Sequence, residues 1–295
     1  MQQPRTRPSS LLRFVLVLGL ALLSGRGAQA EDEGTQPFPA AGLMPKAEIG
    51  ADRFLAEHPE ADGRGIVVAI FDTGVDPGAP GLQTTTDGKP KIVDLVDGSG
   101  SGDVDTTTVR KAKDGVVLGL SGRELKVTGL TCPKNAWHVG LKPAFELFPR
   151  GLVRRLKTKR RKAWDEAQRA AEVVLTREIT RLEAEKTPDA AKERKEARKR
   201  LEQLQALQAG HEDPGPIYDC VVFHDGTVWR AVIDTDEDAD LADEKALSTY
   251  RLAQEWATFS DEARLNYGIN VYDGGKRLSI VVDCGAHGTH VAGIV

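Results

Sequence analysis

The stretch that most constrains the fold is Val281 to Val295, which reads Val-Val-Asp-Cys-Gly-Ala-His-Gly-Thr-His-Val-Ala-Gly-Ile-Val. An apolar strand runs into a small-residue turn, and a helix then opens on His287. Ala292 and Gly293 leave that helix little bulk, so it must pack closely on a sheet. A second apolar run, Ile66 to Phe71, ends on Asp72-Thr73-Gly74. It has no polar alternation, the pattern of a strand buried on both faces of a parallel sheet. The two runs predict an α/β domain that places a carboxylate and an imidazole at the ends of its elements.

The 295 residues allow one large domain or two smaller ones. Apolar residues at 40% and charged residues at 28% describe an ordinary globular chain. A net charge of −4 gives no global attraction to nucleic acid or acidic membranes. Three cysteines, Cys132, Cys220 and Cys284, lack paired spacing and indicate neither a disulfide framework nor a zinc site. At the start, Arg5, Arg7 and Arg13 precede an apolar core from Phe14 to Leu23, and Ala28-Gln29-Ala30 follows the small-x-small rule. That is the pattern of a cleaved secretory signal over residues 1–30, too short in its core to span a bilayer. The expected location is secreted or periplasmic; an uncleaved membrane anchor is the competing reading.

Residues 31–60 read as an arm with a short helix over Ala47–His58, Phe54 and Leu55 on its inner face. Residues 61–102 and 267–295 are expected to form the parallel-sheet domain, Lys91–Val96 supplying a further strand. Between them, 103–266 reads as an inserted α+β region. Val116–Gly119 and Leu125–Val127 are short antiparallel strands. Trp164, Ala167, Ala171, Leu175, Ile179 and Leu182 recur at helical spacing, as do Ala197, Leu201, Leu204 and Leu207, predicting a helical hairpin over 151–209 broken at Pro188. Its basic run, Arg154 to Lys162, lacks interleaved aromatics and reads as a solvated face rather than a nucleic-acid site. Tyr218–Phe223 and Thr227–Ile233 flank His224-Asp225-Gly226 as a hairpin. Asp234–Asp240 has the charge of a calcium loop. It lacks the glycine and terminal glutamate of an EF-hand and reads as a solvated acidic turn. Ala246–Asn266 is expected to be helical. Asn270–Tyr272 and Leu278–Val282, joined by Asp273-Gly274-Gly275, lead as a strand pair into His287.

Peptide hydrolysis by a serine needs a neutral imidazole to take the hydroxyl proton and a carboxylate to orient that imidazole. Asp72 and His287 are the candidates, with Gly285 and Gly288 leaving room for other backbone to approach the ring. Two other chemistries fit less. An aspartate pair sharing a proton would need a second Asp-Thr/Ser-Gly, and zinc held by His287 and His290, three apart on one helix face, lacks the glutamate of the metalloprotease arrangement. No cofactor is implied. A rival of another class is a non-catalytic binding or assembly module that retains this scaffold.

Phe71-Asp72-Thr73-Gly74-Val75-Asp76 and His287-Gly288-Thr289-His290-Val291-Ala292-Gly293 resemble the aspartate and histidine signatures of subtilases, in the order Asp then His. Asp72–Gly81, Thr85–Asp94, Asp213–Cys220, His224–Ala231 and Cys284–His287 further resemble the tripeptidyl-peptidase II branch, as does the long interval between Asp72 and His287. The resemblance covers about Pro45 to Val295. It implies that His287 is the base, that His290 is a packed structural residue, and that the nucleophilic serine lies beyond Val295, the chain being a truncated piece. It also implies an exopeptidase that releases tripeptides from free N-termini and assembles as a large homo-oligomer. The export signal departs from that branch's cytosolic members.

Overall fold

A computed structural model describes residues 46–295. The expected leader and residues 31–45 of the arm lie outside the described residues. The chain divides into two units, one ending at Val67 and the other running from Val68 to Val295. In the first, α1 (Ala51–Glu57) follows Gly50, whose φ of 74° is left-handed. The helix buries none of its side chains: Phe54 and Leu55, expected on an inner face, are exposed. Within the described part of this unit no second element faces them.

In the second unit the strands are β1 (Asp103–Asp105), β2 (Thr108–Arg110), β3 (Val116–Leu118), β4 (Glu124–Lys126), β5 (Trp137–Pro143), β6 (Ile217–His224), β7 (Trp229–Ile233), β8 (Leu247–Ser248), β9 (Ala257–Phe259), β10 (Leu265–Tyr272) and β11 (Arg277–Val282). The helices are α2 (Ala144–Leu147), α3 (Arg150–Ala184), α4 (Pro188–Ala209), α5 (Tyr250–Ala253) and α6 (Ala286–Ile294). One sheet has the order β1-β11-β10-β9, a second β2-β5-β6-β7-β8, and β3 and β4 form a hairpin. Both expected limits of the inserted region fall inside the first sheet, since β1 pairs with β11 and β9 with β10.

The α/β class with a large α+β insertion is present, but the parallel sheet is not: every ladder between the described strands is antiparallel. Residues 66–71 form no strand, and Phe71 is 97% exposed. Their apolar pattern suits a central strand, but a strand needs a neighbour for its N–H and C=O groups, and none of the described strands pairs with them. Lys91–Val96 likewise joins no ladder, although Ile92 and Leu95 are buried and the Leu95 carbonyl accepts from Asn270 Nδ2 at 2.6 Å. Ala246–Asn266 is not a helix. It breaks into β8, the one-turn α5 and β9, because pairing with β7 and β10 outweighs the helix propensity of its residues.

The alternating side chains of β6 explain how the five-stranded sheet is buried on both faces. Tyr218, Cys220 and Val222 face a core shared with α2, the start of α3 and the sheet of β10 and β11. Val221 and Phe223 face a second core with Val117, Leu125 and Leu241. The loop after β7 therefore differs from the solvated turn expected of it: Asp234 is fully buried and Leu241 anchors that second core. The helical hairpin forms as expected. Thr187 caps α4 by accepting from the Ala190 N–H, with Pro188 in the first turn. Trp164 stacks on His211 at 4.0 Å, and Arg198 pairs with Glu183 across the two helices. The predicted stripe is only partly covered: Ile179, Leu182 and Ala197 are buried, while Leu207 is exposed. All three cysteines are free thiols.

Phe259 is the keystone of the first core, fully buried against Tyr267, Phe148 and Tyr218 at ring separations of 4.3, 5.3 and 5.5 Å. Phe259→Ala should cost about 3–5 kcal/mol, read as a lower denaturation midpoint at unchanged m-value.

Candidate active site

His287 is the second residue of α6, and Asp72 lies in the loop that follows the unpaired apolar run. Though 215 positions apart, His287 Nδ1 and Asp72 Oδ2 are 2.6 Å from each other. An ionised carboxylate only accepts, so Nδ1 carries the proton and Nε2 is left as the basic nitrogen. The Asp72 side chain is 16% exposed and that of His287 75%, so the orienting group is sheltered while the imidazole is open to a reactant.

The Asp72 carboxyl is held below its ordinary value. The Thr73 N–H, donating to Oδ1 at 2.7 Å, is the main cause; partial burial opposes it, and His287 adds to the lowering. A depressed folded pKa means that this interaction stabilises the fold above the unfolded carboxylate pKa. The contribution is lost as pH falls through the folded value. At neutral pH the carboxylate is therefore ionised, as a partner for Nδ1–H must be.

Two glycines let the pieces meet. A Cβ on Gly288 would lie 2.0 Å from the Gly74 carbonyl oxygen and 3.2 Å from Asp72 Cβ. Gly74, at φ 103°, itself passes against the Val282 carbonyl. The anticipated room at Gly288 is thus occupied by the backbone of the Asp72 loop, while Gly285 has only ordinary contacts with Thr73.

A set of hydrogen bonds that sequence reasoning missed sews the loop to the helix. Thr73 Oγ1 donates to the Gly285 carbonyl at 2.6 Å and accepts from the Gly288 N–H at 3.4 Å. The Cys284 N–H donates to the Thr73 carbonyl at 2.9 Å. Thr289 Oγ1 donates to Asp283 Oδ2 at 2.8 Å and accepts from the Asp76 N–H at 2.9 Å. Asp76 Oδ1 accepts from Asn266 Nδ2 at 2.7 Å and from the Gly78 N–H at 2.8 Å. Asp283 Oδ1 accepts from the Gly285 N–H two residues on. Asp76 and Asp283 each precede a glycine by two positions, the local signal of an Asx turn. His290, expected to be packed, is exposed, because the exposed side of α6 turns it away from the loop that Gly288 and Thr289 meet.

A sequence profile described as the Subtilase family matches residues 63–295. "Tripeptidyl-peptidase 2" of Oryza sativa subsp. japonica is 46% identical over 272 residues, 88% of this chain and 20% of that protein. The Caenorhabditis elegans protein of the same name is 38% identical over 292 residues, 96% of this chain and 21% of that one. Pyrolysin from Pyrococcus furiosus is 48% identical over 59 residues, 20% of this chain and 4% of that protein. The crystal structure of tripeptidyl peptidase 2 superimposes with a TM-score of 0.53 at 27% identity, covering 81% of this chain and 19% of that one. This chain thus spans about a fifth of the length of the tripeptidyl-peptidase relatives it matches. The profile match contains both the Asp72 and the His287 motifs, and the chain belongs to the subtilase family.

Proposed function

We propose that these residues supply the aspartate and the histidine of a serine peptidase that releases tripeptides from the free N-termini of peptides. The observation that carries this reading is the 2.6 Å bond from His287 Nδ1 to Asp72. Asp72 holds the imidazole in one tautomer and stabilises it once protonated. Nε2 takes the proton of the nucleophilic serine, then returns it to the leaving amine. The tripeptidyl specificity rests on similarity to the tripeptidyl-peptidases and on the long segment between the two dyad residues. A large homo-oligomer and an exported location, the latter from the leader at residues 1–30, belong to the same reading.

Expressed from its whole coding sequence, the protein should react with a fluorophosphonate probe, and His287→Ala should abolish the labelling. It should also release tripeptides from a peptide with a free amino terminus and leave the N-acetylated peptide intact. Equal labelling of His287→Ala would remove the histidine from the relay. Absence of both labelling and cleavage would favour the assembly-module reading. Recovery of the protein in the cytoplasm with residues 1–30 attached would overturn the location.

A further inference from the structure

The loop between β7 and β8 carries a buried carboxylate that makes no hydrogen bond and shares its one cation. Asp234 is fully buried, yet neither of its carboxylate oxygens has a hydrogen-bond partner. Its nearest cation is Arg123, whose Nη1 is 3.1 Å from Oδ2. That guanidinium is already engaged by buried Asp219, with Nε and Nη2 at 2.9 and 2.8 Å from Asp219 Oδ2. One guanidinium thus faces two buried carboxylates, and removing two negative charges from water is costly unless each is compensated.

Asp234 also points toward more negative charge. One carboxylate oxygen each from Asp234, Asp236 and Asp238 lies within 4.8 Å of the other two. Glu244 stands beside them: its Oε1 accepts from the Thr235 N–H at 3.1 Å, while Oε2 is buried without a partner.

We propose that the loop from Asp234 to Asp240 binds a divalent cation of the calcium type through the carboxylates of Asp234, Asp236 and Asp238. The ligand set is all oxygen, which suits a hard ion, and calcium accepts six to eight such oxygens in irregular geometry, with carbonyls and water completing the shell. Carboxylates at alternate positions match the first, third and fifth places of a calcium loop. Ala239, at φ 68°, takes the left-handed turn that glycine makes at the sixth, and buried Leu241 falls at the eighth. At the twelfth place stands Lys245, with Glu244 one position early, so the site is not an EF-hand. The bound ion would fasten β4 to the second core. The Lys126 N–H already donates to the Ala239 carbonyl at 2.8 Å, and the Leu241 N–H to the Lys126 carbonyl at 3.0 Å.

The test is calorimetric titration of the EGTA-stripped protein with CaCl2, alongside the double variant Asp236→Asn, Asp238→Asn. Both positions are exposed, so the variant should keep its circular dichroism. The parent should bind one more calcium ion per chain than the variant, with a dissociation constant of about 10⁻⁵ to 10⁻³ M. Its melting temperature should rise with calcium, an increase the variant lacks. If the double variant unfolds, Asp238→Asn alone should weaken that ion by about tenfold or more. Equal calcium stoichiometry and affinity in parent and variant would overturn the proposal. Equal affinity for MgCl2 would overturn the choice of calcium.

Discussion

Asp72→Asn in the full-length protein should lower turnover by about four orders of magnitude while leaving the fold in place. An amide at this position can present a donor instead of an acceptor, so the imidazole no longer keeps its proton on Nδ1. Nε2 then loses the lone pair that a serine hydroxyl needs. The Thr73 N–H, which holds Asp72 at 2.7 Å, would still find the amide oxygen as an acceptor, which is why the loop should stay where it is. Steady-state cleavage of a chromogenic tripeptide amide gives the rate, and thermal unfolding gives the control. Turnover within a factor of about ten of the parent would exclude Asp72 from the relay.

Gly288→Ala should damage the same site while leaving both reacting groups chemically unchanged. The added Cβ would meet the Gly74 carbonyl oxygen at 2.0 Å and Asp72 Cβ at 3.2 Å. The first of these neighbours is backbone, so the start of α6 must move away from the Asp72 loop. A displacement of about 1 Å in a positioned catalytic group costs about a hundredfold in rate. Overpacking of this kind also destabilises by about 1–3 kcal/mol. Gly293, on the same helix, is the control: a Cβ there meets nothing within 4 Å. Gly293→Ala should be neutral or stabilising, since alanine favours a helix over glycine by about 1 kcal/mol. If both variants retain full activity, the close approach at Gly288 does not hold the dyad.

Asp72 and His287 were legible as candidates because each sits in a short motif of fixed residue types in a fixed order. Their meeting was legible only as an expectation, since no local pattern reports a contact across 215 positions. The hydrogen bonds of Thr73, Asp76, Asn266, Asp283 and Thr289 were hidden for the same reason. Hairpins with Gly-rich turns, such as β10–β11, read correctly because their pairing is local. Residues 66–71 misled because an apolar run records suitability for a sheet and says nothing of which strand pairs with it. Ala246–Asn266 misled in the opposite sense: its helix-forming residues were overruled by partners distant in the chain. The acidic loop reads as solvated because charge pattern does not reveal that Asp234 is buried beside Arg123.

The pairing of β1 with β11 has a consequence for how this chain can vary. Asp103 lies opposite Ser279, and the Ile280 N–H donates to the Gly102 carbonyl at 2.9 Å. The long excursion between the two motifs therefore departs and returns at neighbouring points, like a loop drawn shut by its stem. Beyond that clasp, lengthening or trimming the outer turns of α3 and α4 need not alter the distance between carboxylate and imidazole. The excursion is free to diversify while Asp72 and His287 stay in register.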